Sequence, residues 1–407
     1  MDELKVWLDQ RANDQVVMLQ RLVQVPSDNP PGDGLAHALC ATELLGLMGF
    51  EVEQHRVPNE VCQQHGLQRV MNLVVRHRFG PGPTVVLNAH GDAVPPGGGW
   101  SKDPYGGEVE QGWLYGRGAA VSKSDFVTYA YALKALIETK SLDAGCVELH
   151  ITYDEETGGF TGPAWLLSEG ITQPDYAICA AFSYQVITAH NGCLHLDVTV
   201  DGRSAHAAWH RTGVDALEAS LHILNALYRY RESLDGVVSN YSGVSSPSLV
   251  IGTIEGGINT NVVPDRVSFS IDRRIIPEES PEEVERELRH LIASIKLQEG
   301  INVRVAQRLL AAPFTSTPIS EELADIFAAE AQKVLGETVG KGAMPLYTDA
   351  RHYSEAGIPT IMYGAGPSDP LEANGHRADE RVPVHLITDA ALVVASSIRV
   401  LFSKQVR

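Results

Sequence analysis

Two short runs carry side chains that can do chemistry together. His90-Gly91-Asp92 closes an apolar run, Val85-Val86-Leu87, and sets an imidazole and a carboxylate two residues apart on one side of an extended chain. A histidine whose far nitrogen is held by a carboxylate is a common metal ligand and equally a catalytic base. A histidine capping a strand end beside an aspartate in a turn has the same pattern. Asp154-Glu155-Glu156 follows an alternating run, Cys146 to Thr152, and is closed by Gly158 and Gly159. Three successive carboxylates repel one another, which a cation or a solvated turn relieves. On an extended chain neighbouring side chains diverge, so one carboxylate is free to hold an ion while the next faces its water.

The elements that must position these groups follow from the rest of the chain. Its 407 residues suit two domains, and 44% apolar content suits a globular protein with a sizeable core. A formal net charge of -19 argues against nucleic acid or an anionic membrane as partner. Five cysteines without a CxxC pair argue against a disulfide framework or a thiolate zinc site. The opening MDELKVWLDQ has no basic segment followed by an apolar core, and no run of membrane length stands out. The cytoplasm is the expected location.

Strands are expected at Glu51–His55, Met71–Arg76, Thr84–Ala89, Cys146–Thr152, Asp175–Ala180 and Ile358–Met362. Helices are expected from near Val121 to Thr139 and over Ser320–Leu335, and Tyr347 to Arg351 reads as a loop. Gly116-Arg117-Gly118 lacks the third glycine of a dinucleotide fingerprint. Ser122 stands where a phosphate loop needs glycine before Lys123, so neither nucleotide motif holds. Backbone amides of Tyr363 to Pro367 are expected to face a ligand. Near residue 190 the pattern changes. A strand at Leu194–Val200, a helix at Val214–Tyr230 and strands at Ser248–Ile254 and Arg266–Asp272 come first. A Ser280-Pro281-Glu282-Glu283 capping box then opens a second helix, and Ile301–Ala306 is a last strand. That β-α-β-β-α-β order is the ferredoxin-like module. The expected fold is therefore α/β, with residues 190–308 inserted into a larger domain made of 1–189 and 309–407.

The ordered set of motifs resembles the M20 metallopeptidase family, which holds acetylornithine deacetylases, succinyl-diaminopimelate desuccinylases, aminoacylases and carboxypeptidase G2-like enzymes. The matching residues are His90-Gly91-Asp92, Tyr115 to Ala119, Asp154-Glu155-Glu156, Gly202 to His206, Gly256 to Pro264, Thr348 to Arg351, and His376 within GHRADE. The resemblance implies an α/β/α catalytic domain of zinc-peptidase type and an inserted lid that makes a homodimer. It implies His90 as ligand of one metal, Asp92 as its orienting carboxylate, and Glu155 as general base. Glu156 and His376 then resemble ligands of the other metal, and His206 the histidine that steadies the oxyanion in the partner subunit's site. Asn261 and Arg274 match positions that contact a substrate carboxylate, with Gly364 in a loop that assists them.

Two positions depart from the family. Val121 stands where an aspartate bridges two metals, and Ala181 stands where another carboxylate is expected. The remaining ligands His90, Glu156 and His376 bring one negative charge against the +4 of two divalent ions, so a dinuclear site is disfavoured. Two imidazoles and a carboxylate suit one ion (zinc, manganese or cobalt). Asp125, four residues beyond Val121 on the expected helix, is a candidate replacement ligand, and Lys123 offers a positive charge in place of a second metal. The expected function is a one-metal hydrolase of an amide or related C–N bond in a small carboxylate-bearing molecule. A metal-free, dimeric small-molecule-binding homologue is the alternative.

Overall fold

The computed structural model describes residues 2–405. The described chain divides into two compact units, one made of 2–188, 316–342 and 348–405, the other of 189–315 with 343–347.

In the first unit the sheet runs in the order Val52–Arg56, Met71–Arg78, Cys146–Thr152, Thr84–His90, Tyr176–Cys179, Thr360–Met362, Gln185–His190. Thr84–His90 lies parallel to both Cys146–Thr152 and Tyr176–Cys179, and Thr360–Met362 extends the parallel set. Every residue of Cys146–Thr152 is buried, as are all but the first of Thr84–His90. Strands buried on both faces require cover on both faces, the condition of a three-layer α/β/α unit. The helices Leu35–Leu47, Ser124–Glu138, Pro318–Leu335, Ala350–Glu355 and Val384–Gln405 pack with the sheet or one another around this core. Gly336, at φ 72, ends Pro318–Leu335.

The parallel strands all deliver their carboxyl ends to one edge of the sheet. His90 ends one strand, Asp154 to Glu156 follow a second, Ala180 to Ser183 a third, and Tyr363 to Gly366 a fourth. That edge is where open α/β sheets place their sites.

The second unit is the ferredoxin-like module. Its antiparallel sheet runs Ser248–Gly256, Arg266–Ile275, Gly192–Asp201, Asn302–Ala311. The helices Ala216–Leu234 and Pro281–Ala293 cover one face, burying Leu194, Leu196, Val198 and Val200 among Ile223, Leu227, Val284 and Leu288. Ser280 caps the second helix by accepting the Glu283 amide. The last strand runs on to Ala311, past the expected end at Ala306, and the unit reaches residue 315 rather than 308.

Four local expectations change. The helix expected from Val121 begins at Ser124, with Val121 and Ser122 outside helical backbone angles. Tyr347 to Arg351 leads into a helix at Ala350 rather than remaining loop. Gln185–His190 is a strand that the sequence pattern did not mark. Finally, Val384–Lys404 is long and apolar enough to cross a membrane, contrary to the sequence reading, but most of it is buried as the core helix of the first unit.

Candidate metal centre and active site

His90 sits on the last position of its strand, paired in register with Thr152. The chain then turns at Gly91, where a Cβ would come 2.6 Å from the Tyr153 ring, so only glycine allows this approach. The turn brings Asp92 back onto the imidazole. Nδ1 of His90 lies 3.0 Å from the Asp92 carbonyl oxygen and 3.3 Å from its carboxylate. Nε2 is thereby left to face Glu155, whose carboxylate is 3.9 Å away. The orienting role implied for Asp92 thus has a geometry. The Asp92 carboxylate also accepts the backbone amides of Glu155 and Glu156 at 3.3 and 3.2 Å, and the Asn29 amide at 2.9 Å.

Glu155 to Thr157 form a single helical turn rather than an extension of the strand, so the divergence expected of neighbouring strand residues does not apply. The turn brings donor atoms of His90, Glu155 and Glu156 all within 4.8 Å of one another. His376 stands outside that trio. It reaches Glu156 at 3.3 Å from a backbone of φ 63, and its side chain is 52% exposed. Val121 lies beside the same segment, its methyl 3.3 Å from where a Cβ of Gly375 would be. An aliphatic side chain therefore occupies space next to His376 where the resemblance implies a bridging carboxylate.

Burial and charge make the centre electrostatically tense. Burial raises the pKa of Glu155, and the nearby Glu156 and Asp92 raise it further against the attraction of His90. Burial disfavours protonated His90, yet Glu155, Asp92 and Glu156 outweigh it and hold its pKa well above the ordinary value. Asp349, within the Thr348 to Arg351 motif, adds a further acid to the centre. Its buried carboxylate accepts the Thr152 hydroxyl at 3.1 Å, and burial together with Glu155 and Asp154 drives its pKa well up. A cation placed among these carboxylates lowers the cost of ionising all of them, so the residues present fit a bound divalent ion.

Asp125 takes a different place from the one expected. With Val121 off the helix, the four-residue spacing no longer puts the two on one face. Asp125 is buried with one oxygen accepting the Ala365 amide at 2.6 Å, and a Cβ on Gly364 would meet that same oxygen at 1.9 Å. Burial raises its pKa well above the ordinary carboxylate value. The Gly366 amide donates to Ser183 Oγ, and Ser183 in turn donates to the Gly364 carbonyl. Two amides expected to face a ligand are thus spent on the protein itself, because Asp125 and Ser183 pin this loop.

Further groups organise the edge. Arg117 and Glu380 form a buried pair at 2.6 Å, and Glu380 also accepts the amides of Gly118, Ala120 and Val121. Both lay in matched motifs, but no spacing linked them. Lys123 is fully buried, its Nζ without a hydrogen-bond partner among the described residues. Burial lowers its pKa to about 8 against the pull of Glu380, Asp28 and Asp92. Its chain packs 3.2 Å from the Cβ position of Gly118, under the loop that Glu380 holds.

Three remaining candidates belong to the second unit. His206 is exposed, caps the turn Ala207–Thr212 by accepting the Ala208 amide, and lies against Trp209. Asn261 is exposed beside it, its carbonyl accepting the Ala207 amide. Arg274 is engaged with Asp272 through two hydrogen bonds of 2.9 and 3.0 Å.

The chain is 26% identical over 392 residues to a succinyl-diaminopimelate desuccinylase of Rhodospirillum centenum, spanning 92% of this chain and 93% of that protein. A desuccinylase of the same name from Paracoccus denitrificans is also 26% identical, over 394 residues, 93% and 96% of the two chains. Human carnosine dipeptidase 1 shares the fold with a TM-score of 0.79 at 16% identity, covering 99% of this chain and 98% of that one. The Bacillus subtilis YXEP protein, a dinuclear metal-binding peptidase, does so with a TM-score of 0.66 at 15% identity, covering 97% and 99%. Residues 86–400, which hold His90, Asp92, Glu155, Glu156 and His376, match peptidase family M20/M25/M40, and the chain belongs to that metal-dependent family of hydrolases acting on C–N bonds.

Proposed function

We propose that this hydrolase works with one catalytic divalent ion per chain, of zinc, manganese or cobalt class, on an amide of a small carboxylate-bearing molecule. The observation that carries the reading is the convergence of His90, Glu155 and Glu156 at the sheet edge beside Val121. His90 and Glu156 hold the ion, with His376 completing the set from its contact with Glu156. Bound there, it supplies Lewis acidity at the scissile carbonyl and acidifies water. Glu155 takes the proton of the attacking water and returns it to the leaving nitrogen. Asp92 fixes the imidazole and the acid turn as one piece.

The 189–315 unit is the proposed lid and dimerisation domain. Its helix Ala216–Leu234 leaves Leu217 and Leu221 50% and 56% exposed, and the edge strand Ser248–Gly256 leaves Ile254 54% exposed. An apolar face beside an unpaired strand edge favours a second copy. Sedimentation of Leu221→Asp as a monomer tests this, and an unchanged dimer refutes it. In the dimer, His206 of one chain is the proposed oxyanion donor to the other. Asn261 and Arg274 are the proposed contacts for the substrate carboxylate, and the cytoplasm is the proposed location.

The test of the chemistry is a panel of N-acyl amino acids, N-succinyl diamino acids and dipeptides. Glu155→Gln retains its metal and loses kcat by roughly 10²–10⁴-fold. Undiminished turnover in that variant removes Glu155 from the mechanism.

A further inference from the structure

A second cluster of ligand-type side chains lies wholly within the 189–315 unit. Cys193 and His195 stand two apart on Gly192–Asp201, on the face opposite Leu194 and Leu196. The neighbouring strand sets Asp272 directly opposite His195 and Arg274 opposite Cys193. The donor atoms converge. Cys193 Sγ is 3.1 Å from His195 Nε2 and 3.7 Å from Asp272 Oδ1, and Nε2 is 3.3 Å from Asp272 Oδ2.

These separations have a simple geometric meaning. Ligands on a tetrahedral zinc-class ion, with sulfur at ~2.3 Å and nitrogen or oxygen at ~2.0–2.1 Å, stand about 3.3–3.6 Å apart. The observed separations of 3.1, 3.3 and 3.7 Å straddle that range, with Oδ1 of Asp272 facing the sulfur and Oδ2 facing the imidazole. Nε2, which carries at most one proton, faces both the sulfur and the carboxylate. Leu309 and Ala311 pair opposite His195 and Cys193 on the next strand and are buried, forming a dry wall. The His195 and Asp272 side chains are each 30% exposed, so the other side admits solvent.

Charge is consistent with the same reading. A thiolate and a carboxylate together neutralise one divalent ion. Arg274 grips both oxygens of Asp272, which fixes the carboxylate and leaves one positive charge to favour an anionic fourth ligand. We propose that Cys193, His195 and Asp272 form a cation site for zinc or cobalt, with a fourth position open to water or an anion. The thiolate selects these ions over manganese. The site lies in a different unit from His90; it shares Arg274 with the proposed substrate contacts, but its ligands Cys193, His195 and Asp272 do not rest on the reading of the catalytic centre.

Cobalt(II) titration of the full-length, chelator-stripped chain tests it. The trio of His90, Glu155 and Glu156 contains no sulfur, so a near-ultraviolet thiolate-to-cobalt band reports the second cluster. The band appears in the wild type, persists in His90→Ala and disappears in Cys193→Ser, which also loses one equivalent of zinc. Arg274→Gln, a change to a positioning residue, keeps the band and weakens zinc binding roughly tenfold. If Cys193→Ser does not fold, Asp272→Asn serves the same comparison, with zinc retention measured by elemental analysis. No band at saturating cobalt in the wild type, or a band that survives Cys193→Ser, overturns the proposal.

Discussion

The carboxylate of Asp92 accepts the backbone amide of Glu156 at 3.2 Å, so the residue that orients His90 also sets the turn carrying the acids. Asp92→Ala frees both partners at once. Loss of such an orienting group typically lowers metal affinity 10- to 100-fold. Competition with a chromophoric chelator is expected to show a fall of about that size. An affinity within roughly twofold of wild type would mean that Asp92 is not what holds the two ligands in place.

Arg117 and Glu380 are each about 1% exposed, and Glu380 also gathers three amides of the loop ending at Val121. Removing one partner strands the other charge in the interior. Arg117→Met is expected to cost about 3–5 kcal/mol in urea unfolding. A cost below ~1 kcal/mol would show that solvent reaches Glu380 once the guanidinium is gone.

The parts of the fold that were legible in the sequence are those governed by short-range pattern. The apolar runs before His90 and Asp154 mark strands, and their carboxyl ends bring the two motifs to one edge once the strands pair in parallel. What was hidden lies in contacts between distant positions. Arg117 meets Glu380 across 263 residues, and Cys193 meets Asp272 across 79. The absence of a CxxC pair reports only on cysteines close in sequence and is silent about Cys193 beside His195 and Asp272 on adjacent strands. The start of the helix at Ser124 was hidden for a related reason. Ser122 is hydrogen-bonded to the backbone of His90 and Glu380 takes the amide of Val121, so tertiary bonds hold this stretch out of a helix that periodicity alone would extend.

Asp125 gives a sharper version of the same lesson. One of its oxygens is committed to the Ala365 amide, and it lies outside the His90 trio. Asp125→Ala is expected to lower stability by about 1–3 kcal/mol through the orphaned amide. Its metal content should match wild type. Loss of an ion equivalent on elemental analysis would restore Asp125 as a ligand.

Glu148 offers a test of pH dependence away from the centre. It is buried within its strand and accepts Arg76 at 2.7 Å, Thr172 at 2.6 Å and His150 at 3.0 Å. Burial opposes its ionisation, but His150, Thr172 and Arg76 prevail and its pKa is lowered. A carboxylate with a depressed folded pKa adds stability above its unfolded pKa and loses it as the pH falls through the folded value. Glu148→Gln is therefore expected to cost about 1–3 kcal/mol at neutral pH. The gap to wild type should close as the pH drops below about 4. A gap that is constant between pH 7 and pH 3 would contradict this assignment.

The central claim, one catalytic ion shared by His90 and Glu156, is tested most directly by metal stoichiometry. Elemental analysis would compare wild type with His90→Ala, Glu156→Ala and the double variant. Each single substitution should remove one equivalent, and the double variant should remove the same single equivalent and no more. Loss of a second equivalent in the double variant would reveal two separately held ions, and no loss in any of the three would show that these residues hold no metal.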